Sequence, residues 1–441
     1  METLQQHEQL KQNALVVPWS PAARIAFRFT FIYFSLYCLC TQIITSLVPL
    51  PNVDIPDPSA SWPVRPLVMW TARHVFHVTS DLVYTGSGSG DKTFDWVLVF
   101  CLLVLSILAT VIWSALDRKR RDYVAMQKWF RVSIRICLAG QMMAYGLSKA
   151  IPLQMPFPYL SQLLEHYGDQ SPMGVLWSSI GSAPGYEIFA GCAELLGGVL
   201  LIFPRTTTLG ALVCLADMTQ VFMLNMTYDV PVKLLSFHLI LLSLLLLAPE
   251  CRRLANLFLL NRTAGPSTAP ALFRTRRANR IALAVQIVFG IWLFAMNAYG
   301  SRVGWYQYGG GRPKSDLYGI WEVEQQLVDG QPRPPLLGDP IRWRRAIFDF
   351  PARMSFQRID ESYDHHGVTI NLQNKSLILT KYNDQNWKAM FTFSRPAPDQ
   401  LILDGAMDGH QMHLQLKLVD RNKFLLVGRG FHWIQEYPFN R

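Results

Sequence analysis

The chain carries long apolar runs as far as Tyr299 and short alternating ones after it. Residues 25–47, 96–116, 131–150, 184–204, 207–227, 232–249 and 281–299 are seven apolar stretches. Each is close to the roughly 20 residues that a helix needs to cross a hydrocarbon core. From residue 318 the period changes to two. Leu377 and Leu379 alternate with polar neighbours, and Met412, Leu414, Leu416 and Leu418 alternate with His413, Gln415 and Lys417. Period two with turn residues between reads as strands, and Asp-Gly pairs at 404–405 and 408–409 are expected turns. The expected fold is an α-helical multi-pass membrane bundle of about seven transmembrane helices, followed by a small all-β barrel or sandwich of roughly eight to nine strands.

Between the first two runs, Leu67–Tyr84 mixes Val, Met, Trp and Phe with Arg73, His74, His77 and Asp81. It is too polar to span and reads as an amphipathic helix in the interface. The sequence Gly86-Ser-Gly-Ser-Gly-Asp91 follows a helix rather than a strand, so it reads as a flexible loop and not a phosphate cradle. The expected organisation is a cytoplasmic tail at 1–24, two spans with the interfacial helix at 25–128, a four-helix bundle at 129–250, a basic cytoplasmic loop and seventh span at 251–304, and an outer β domain at 305–441. The polar start and the long first run argue against a cleavable signal peptide.

Composition agrees with this division. Half of the 441 residues are hydrophobic and 16% are charged, well under the quarter usual in soluble proteins. The net charge of +10 is concentrated in two blocks, Arg118–Arg131 and Arg252–Arg280, both between apolar runs. With the N-terminus inside, these blocks and Lys11, Arg24 and Arg205 are cytoplasmic. Only Arg65, Arg73, Lys92 and Arg302 fall outside. This is the positive-inside pattern; it explains the basic balance without nucleic acid and puts the β domain in the periplasm of a bacterial inner membrane. The seven cysteines, Cys38, Cys40, Cys101, Cys137, Cys192, Cys214 and Cys251, include no C-x-x-C and no zinc spacing, so neither a thiol pair nor structural zinc is expected.

Several ionisable residues fall inside or at the rim of the spans, where charge is costly and marks function by default. Threading the spans antiparallel brings Lys149, Glu187, Asn225, Asp229, Lys233 and His238 to one outer level. Glu194 and Asp217 lie deeper, and Tyr145 shares a face with Lys149. The candidate catalytic set is Lys149, Glu187, Glu194, Asp217 and Tyr145. Asn225, Asp229, Lys233 and His238 are candidates for holding a substrate or a quinone headgroup. The competing reading is ion pairing and snorkelling that serve the fold alone. His74, His77 and Asp81, spaced i, i+3, i+7, are a lesser candidate for a metal. Haem needs histidines on facing spans, and only His238 lies in one. His365, His366, His410 and His413 read as solvated strand residues.

Tyr145-Gly-Leu-Ser-Lys149, then Glu187, Gly191 and Glu194-Leu-Leu-Gly-Gly198, then Arg205-Thr-Thr-Thr-Leu-Gly-Ala211 together resemble the DoxX-like membrane proteins over roughly residues 129–250. Those have G-x-x-K on the first helix of a four-helix bundle and G-x-x-E-x-x-G-G on the second. The resemblance implies quinone-linked oxidation, as of thiosulfate, or redox maturation outside the membrane, with a membrane or periplasmic redox partner. A more distant similarity reaches the membrane domain of vitamin K-dependent γ-carboxylases and would make Lys149 a base. In the β domain, Gly319-Ile-Trp321 and a final strand running into Arg429 resemble the lipocalin-type barrel, in which a late Arg covers the Trp. The expected function is an outer-leaflet polar site serving a quinone-linked or other redox process. The alternative is a non-enzymatic membrane-anchored scaffold whose β domain binds a lipid or protein partner.

Overall fold

The computed structural model describes residues 19–50, 53, 55–267 and 270–440. The tail expected at 1–24 therefore lies outside the described residues up to position 18. Two compact units form, and neither is continuous in sequence. The first comprises residues up to Ile151 with Ile188–Arg302; the second comprises Pro152–Glu187 with Val303–Arg441.

The helical elements are α1 (Pro21–Cys40), α2 (Val64–His74), α3 (Thr93–Leu116), α4 (Val124–Ala150), α5 (Pro172–Gly181), α6 (Pro184–Ile202), α7 (Thr207–Thr227), α8 (Lys233–Leu247), α9 (Cys251–Phe258) and α10 (Arg276–Gln307). Among the described residues six helices are long and apolar enough to cross a membrane: α1, α3, α6, α7, α8 continued into α9, and α10. The seventh expected span, α4, has 27 residues but carries Lys128, Arg131, Arg135 and Lys149. It tolerates them because it is a central helix. Ile134, Leu138, Ala139, Met142 and Met143 are buried against the other helices, and Arg135 and Lys149 are buried with them. Outward-facing residues of α3 such as Leu108, Val111 and Ile112 are exposed, the pattern of a helix turned toward lipid.

The interfacial helix is shorter than its composition suggests. α2 ends at His74, and His77 lies beyond it with a positive φ of 52°. The Gly86–Asp91 loop is anchored. Gly90 N–H donates to the Pro231 carbonyl at 2.8 Å, and the Asp91 carboxylate accepts from the Lys233 and Leu234 N–H groups at 2.7 and 2.9 Å. Asp91 thereby caps the otherwise open N-terminus of α8, satisfying donors that no helix can satisfy itself.

The β domain has nine antiparallel strands: β1 (Gly319–Val328), β2 (Gln331–Pro332), β3 (Trp343–Phe350), β4 (Arg353–Arg358), β5 (Tyr363–Asn371), β6 (Ser376–Lys381), β7 (Asp384–Ser394), β8 (Gln400–Met407) and β9 (His410–Leu418). β1 pairs with β9 and closes an eight-stranded barrel, with β2 added at the edge of β1. Its interior is filled by its own side chains, among them Trp321, Phe348, Phe356, Leu379, Leu403 and Leu414. Asp408-Gly409 is a turn, both residues having positive φ, as a two-residue hairpin requires. Asp404-Gly405 is not. It lies within β8, where a Cβ on Gly405 would come 2.1 Å from the Met390 carbonyl oxygen; the glycine serves close strand approach.

Two further corrections concern the barrel ends. The last strand stops at Leu418, and Arg429 follows a helical turn, Leu425–Gly428. Arg429 lies over Phe439, whereas the guanidinium over Trp321 belongs to Arg395, at 5.4 Å. The Trp321 indole donates to the Leu317 carbonyl at 2.9 Å.

Residues 152–187 belong with the barrel and strap its outside. Leu160 is buried with Ile320 and Ile347. Its N–H donates to Asp349 at 2.9 Å, and Arg312 reaches the other Asp349 oxygen at 3.2 Å while lying over the Tyr159 and Phe350 rings.

Candidate functional site

The strongest polar feature of the bundle is built by two glycines. Gly146 on α4 and Gly191 on α6 sit where the helix backbones touch. A Cβ on Gly146 would lie 2.7 Å from Leu195 N, and one on Gly191 would lie 2.3 Å from Ala150 N. Small residues permit such an approach. Three residues after each glycine, on the same helical face, come Lys149 and Glu194. Their side chains form a buried ion pair between Lys149 Nζ and Glu194 Oε1, with 9% and 3% side-chain exposure. The spacings G-x-x-K and G-x-x-E thus have one physical meaning. The glycine brings the helices together, and the charge one turn on meets its opposite.

The pair does not use all its groups. Glu194 Oε2 and Asp217 Oδ2 are buried without a hydrogen-bond partner. Asp217 on α7 lies close enough for the charges of Glu194 and Lys149 to act on it. Lys149 bonds Glu194, and the Asp217 charge lies nearby. Tyr145, one turn before Lys149, accepts a hydrogen bond from Gln42 Nε2 at 3.0 Å.

The other candidates have partners of their own. Glu187 belongs to the other unit, where its Oε1 accepts from Met155 N–H at 2.9 Å. Asn225 is a tie between α7 and α8: its amide donates to Ser236 Oγ at 3.0 Å and to the Val232 carbonyl at 3.3 Å. Asp229 and Lys233 form an i,i+4 ion pair at 2.9 Å with Asp229 exposed, and Lys233 also lies 3.9 Å from Asp91. His238 is buried in a separate aromatic box. Its Nδ1 is 2.7 Å from the Leu234 carbonyl, so that nitrogen carries the proton and donates. Its Nε2, 2.8 Å from Tyr33 Oη, is then the acceptor, and the ring stacks on Tyr37 at 3.7 Å. Of the outer level expected from threading, Asn225, Asp229 with Lys233, and His238 form three local arrangements.

The metal candidate is overturned. With α2 ending at His74, the three side chains no longer share a helical face; all are exposed, and His74 stacks on Trp70. Among the described residues no group of three or more His, Cys, Asp or Glu could hold a metal ion.

Sequence reasoning missed Arg135. This buried guanidinium donates to Gln286 Oε1 and, at 3.3 Å, to Thr207 Oγ1. It also missed a cavity of about 480 Å³ between α1, α4 and the end of α8, lined by Trp19, Phe27, Phe130, Arg131 and Leu246 among others. That cavity includes neither Lys149, Glu194 nor Asp217.

In the barrel unit, His366 corrects its expected solvation. It is buried on the inner face of β5, and neither ring nitrogen has a hydrogen-bond partner of good geometry. It stacks on Trp387 at 5.3 Å, and burial pushes its pKa below the usual value. His365, one position earlier, faces out and meets Ser355. On the surface, Glu361 accepts from His166 at 2.5 Å and Arg344 at 2.8 Å. The hydrogen bond from His166 is the main reason its carboxyl is held below the usual range.

Over 134 residues the chain is 30% identical to the uncharacterized protein YwoB of Bacillus subtilis (strain 168). The match takes in 30% of this chain and 85% of that protein, and the chain belongs to the same family. No family model matches the chain, and no solved structure matches it.

Proposed function

We propose that this membrane protein, a member of the YwoB family, is DoxX-like in its central bundle and handles protons for a quinone-linked redox process at the outer face of a bacterial inner membrane. The observation that carries this is the Lys149–Glu194 pair with Asp217 beside it. Two carboxylates against one lysine leave one acid in excess, and the two unpartnered oxygens are where a proton can be taken up or released. General acid–base work needs such a group, held away from bulk water. Lys149 would orient or deprotonate a headgroup, and Glu194 and Asp217 would pass protons on. The orientation rests on the basic loops, which the positive-inside rule puts in the cytoplasm. The test is extraction of the purified protein with organic solvent. A co-purified quinone that is lost in Lys149→Ala and Glu194→Gln supports the reading. No quinone in the wild type, together with normal growth of the double variant, sinks it.

A second reading is favoured by a different observation. The segment after the barrel leaves Phe431, Trp433, Ile434 and Tyr437 largely exposed, and such large apolar groups, three of them aromatic, suit contact with a protein or lipid partner. In that reading the chain is a membrane-anchored scaffold, and the barrel is a lipocalin-like support. Deleting residues 430–441 would then remove co-purifying partners. An unchanged set of partners argues against it.

A further inference from the structure

The cavity of about 480 Å³ lies where α1 and α4 begin and α8 ends. α1 faces it with Ala23, Ala26, Phe27 and Thr30, an i, i+3, i+4, i+7 stripe, and α4 repeats that spacing from Gln127 to Ile134. Such stripes are the faces by which helices pack. Here they leave a void, because α1 puts two alanines on its stripe before the first large side chain, Phe27. Small-molecule pockets run to about 300–1,000 Å³, so the void has room for an extended apolar chain. Its rim is open. Ala23, Ala26, Ala248 and Pro249 line the cavity and are themselves exposed. All four belong to helices long and apolar enough to span, and Ile25 and Leu244 near them are 50% and 45% exposed. Exposed apolar groups on a spanning helix face hydrocarbon, so the way in is from the bilayer.

A void walled by carbon alone selects no charge, but this one carries a guanidinium. Arg131 lines it, and among the described residues no acidic side chain does. The ion-pair partner of Arg131 is Glu250, at 3.8 Å. That carboxylate is already engaged: it accepts from Ser267 Oγ at 2.7 Å and from Arg253 at 3.2 Å. Two guanidinium groups against one carboxylate leave one positive charge beside the cavity. The first basic block is held there too. Trp19, on the cavity wall, donates its N–H to the Arg121 carbonyl at 3.1 Å, and Arg24 donates to the Arg120 carbonyl at 2.6 Å.

We infer that this cavity binds an anionic phospholipid from the leaflet on the side of the basic loops. One acyl chain enters past Ala23 and Ala26 and lies against Phe130 and Leu246, and the phosphodiester sits on Arg131. Basic pockets between membrane helices take anionic headgroups in this way, and the guanidinium fork suits phosphate oxygens. A headgroup with its own ammonium would bring a second cation to a place already positive. The bound lipid would tie α1, α4 and α8 together where their side chains leave a gap. The site uses none of Lys149, Glu194 or Asp217, so it stands apart from the proton-handling reading.

The test is native mass spectrometry of the full-length protein in detergent, titrated with phosphatidylglycerol or phosphatidylcholine carrying the same palmitoyl and oleoyl chains. The wild type should retain one phosphatidylglycerol at concentrations where phosphatidylcholine is not retained. Arg131→Gln should weaken phosphatidylglycerol at least about fivefold, the effect of one charge at a membrane surface, and abolish the preference. Lys128→Gln, in the same basic block but outside the lining, should keep it. Ala26→Trp fills the cavity and should lose either lipid. Equal retention of the two lipids by the wild type overturns the inference, as does a preference that survives Arg131→Gln. A lipid held by folded Ala26→Trp overturns the placement of the chain; if that variant does not fold, the Arg131→Gln arm decides. Inorganic phosphate should not compete, and displacement of the lipid by it would make this a free-anion site and overturn the lipid assignment.

Discussion

Lys149–Glu194 in the bundle and His166–Glu361–Arg344 on the barrel unit join the same kinds of charge in opposite surroundings. The first pair is almost sealed from solvent. In the second, the Glu361 and Arg344 side chains are over a third exposed and His166 is two thirds exposed. In water each partner keeps its hydration, so the attraction is screened and the net gain is small. In the bundle hydration is lost, so each charge depends on the other. The difference teaches where substitution will be felt, and it does not follow bond length: the surface bonds are short too.

The largest effect is expected when the buried pair is broken on one side. Lys149→Met or Glu194→Leu leaves an uncompensated charge and should cost about 3–5 kcal/mol, read as lowered thermal stability in detergent. The double variant removes both charges and should recover most of that loss. If it is as unstable as either single variant, the pair is not the unit described here.

Next in size is the glycine crossing. Gly191→Val puts side-chain atoms where Ala150 N already lies within 2.3 Å of a Cβ. Overpacking of this kind costs about 1–3 kcal/mol. It should also separate Lys149 from Glu194, so that adding Glu194→Leu to Gly191→Val loses less than it does in the wild type. Strict additivity would break the link between crossing and pair.

A smaller effect comes from His366, the barrel's own buried polar group. Its folded pKa is depressed by burial, so the unfolded chain binds more protons once pH falls below the ordinary value of about 6.5. Stability of the barrel unit should be level above that pH and decline below it. His366→Phe keeps the stack on Trp387 and removes the titration, so its melting curve should be flatter between about pH 6.5 and 5. An equal decline in the variant would rule His366 out as the cause.

The smallest effect is expected at Glu361. Its folded pKa is depressed, so its contribution is present above the unfolded value of about 4.3 and is lost as pH falls through the folded one. Lying at the solvent surface, it should respond to salt. Glu361→Gln should change the melting temperature little at pH 7, and less again in 0.5 M salt, on the order of one Debye length of 4 Å. A large, salt-independent loss would mean the surface cluster behaves like the buried pair.

Much of this was legible in the sequence, for identifiable reasons. Spans and strands are written in hydrophobic period, and α7 begins and ends where its run does. Lys149 and Glu194 were legible because both follow a glycine by three residues. Asp217 was legible from depth alone. What stayed hidden depends on partners remote in sequence. The bond of Glu187 to Met155 joins residues 32 positions apart, which no local pattern shows. His238 looks like a headgroup ligand until Tyr33 and Tyr37 are found around it. Arg395 replaces Arg429 over Trp321 because a cation over a ring needs only proximity, which no position in the sequence encodes. His366 reads as one of two adjacent histidines, yet strand alternation sends His365 out and His366 in.

The strap carries a topological consequence. Leu160 and Asp349 are bonded although 189 residues separate them, so the two stretches of chain that meet there must emerge on one side of the bilayer. Between Glu187 and Val303 the chain passes through four spans, Pro184–Ile202, Thr207–Thr227, Lys233–Phe258 and Arg276–Gln307. Four is even, and an even number of crossings returns a chain to the side it left. The barrel's hydrogen bonds thus act as a parity check on the membrane helices: inserting or removing one span between strap and barrel would cost Asp349 its bond to Leu160, whichever way the protein faces.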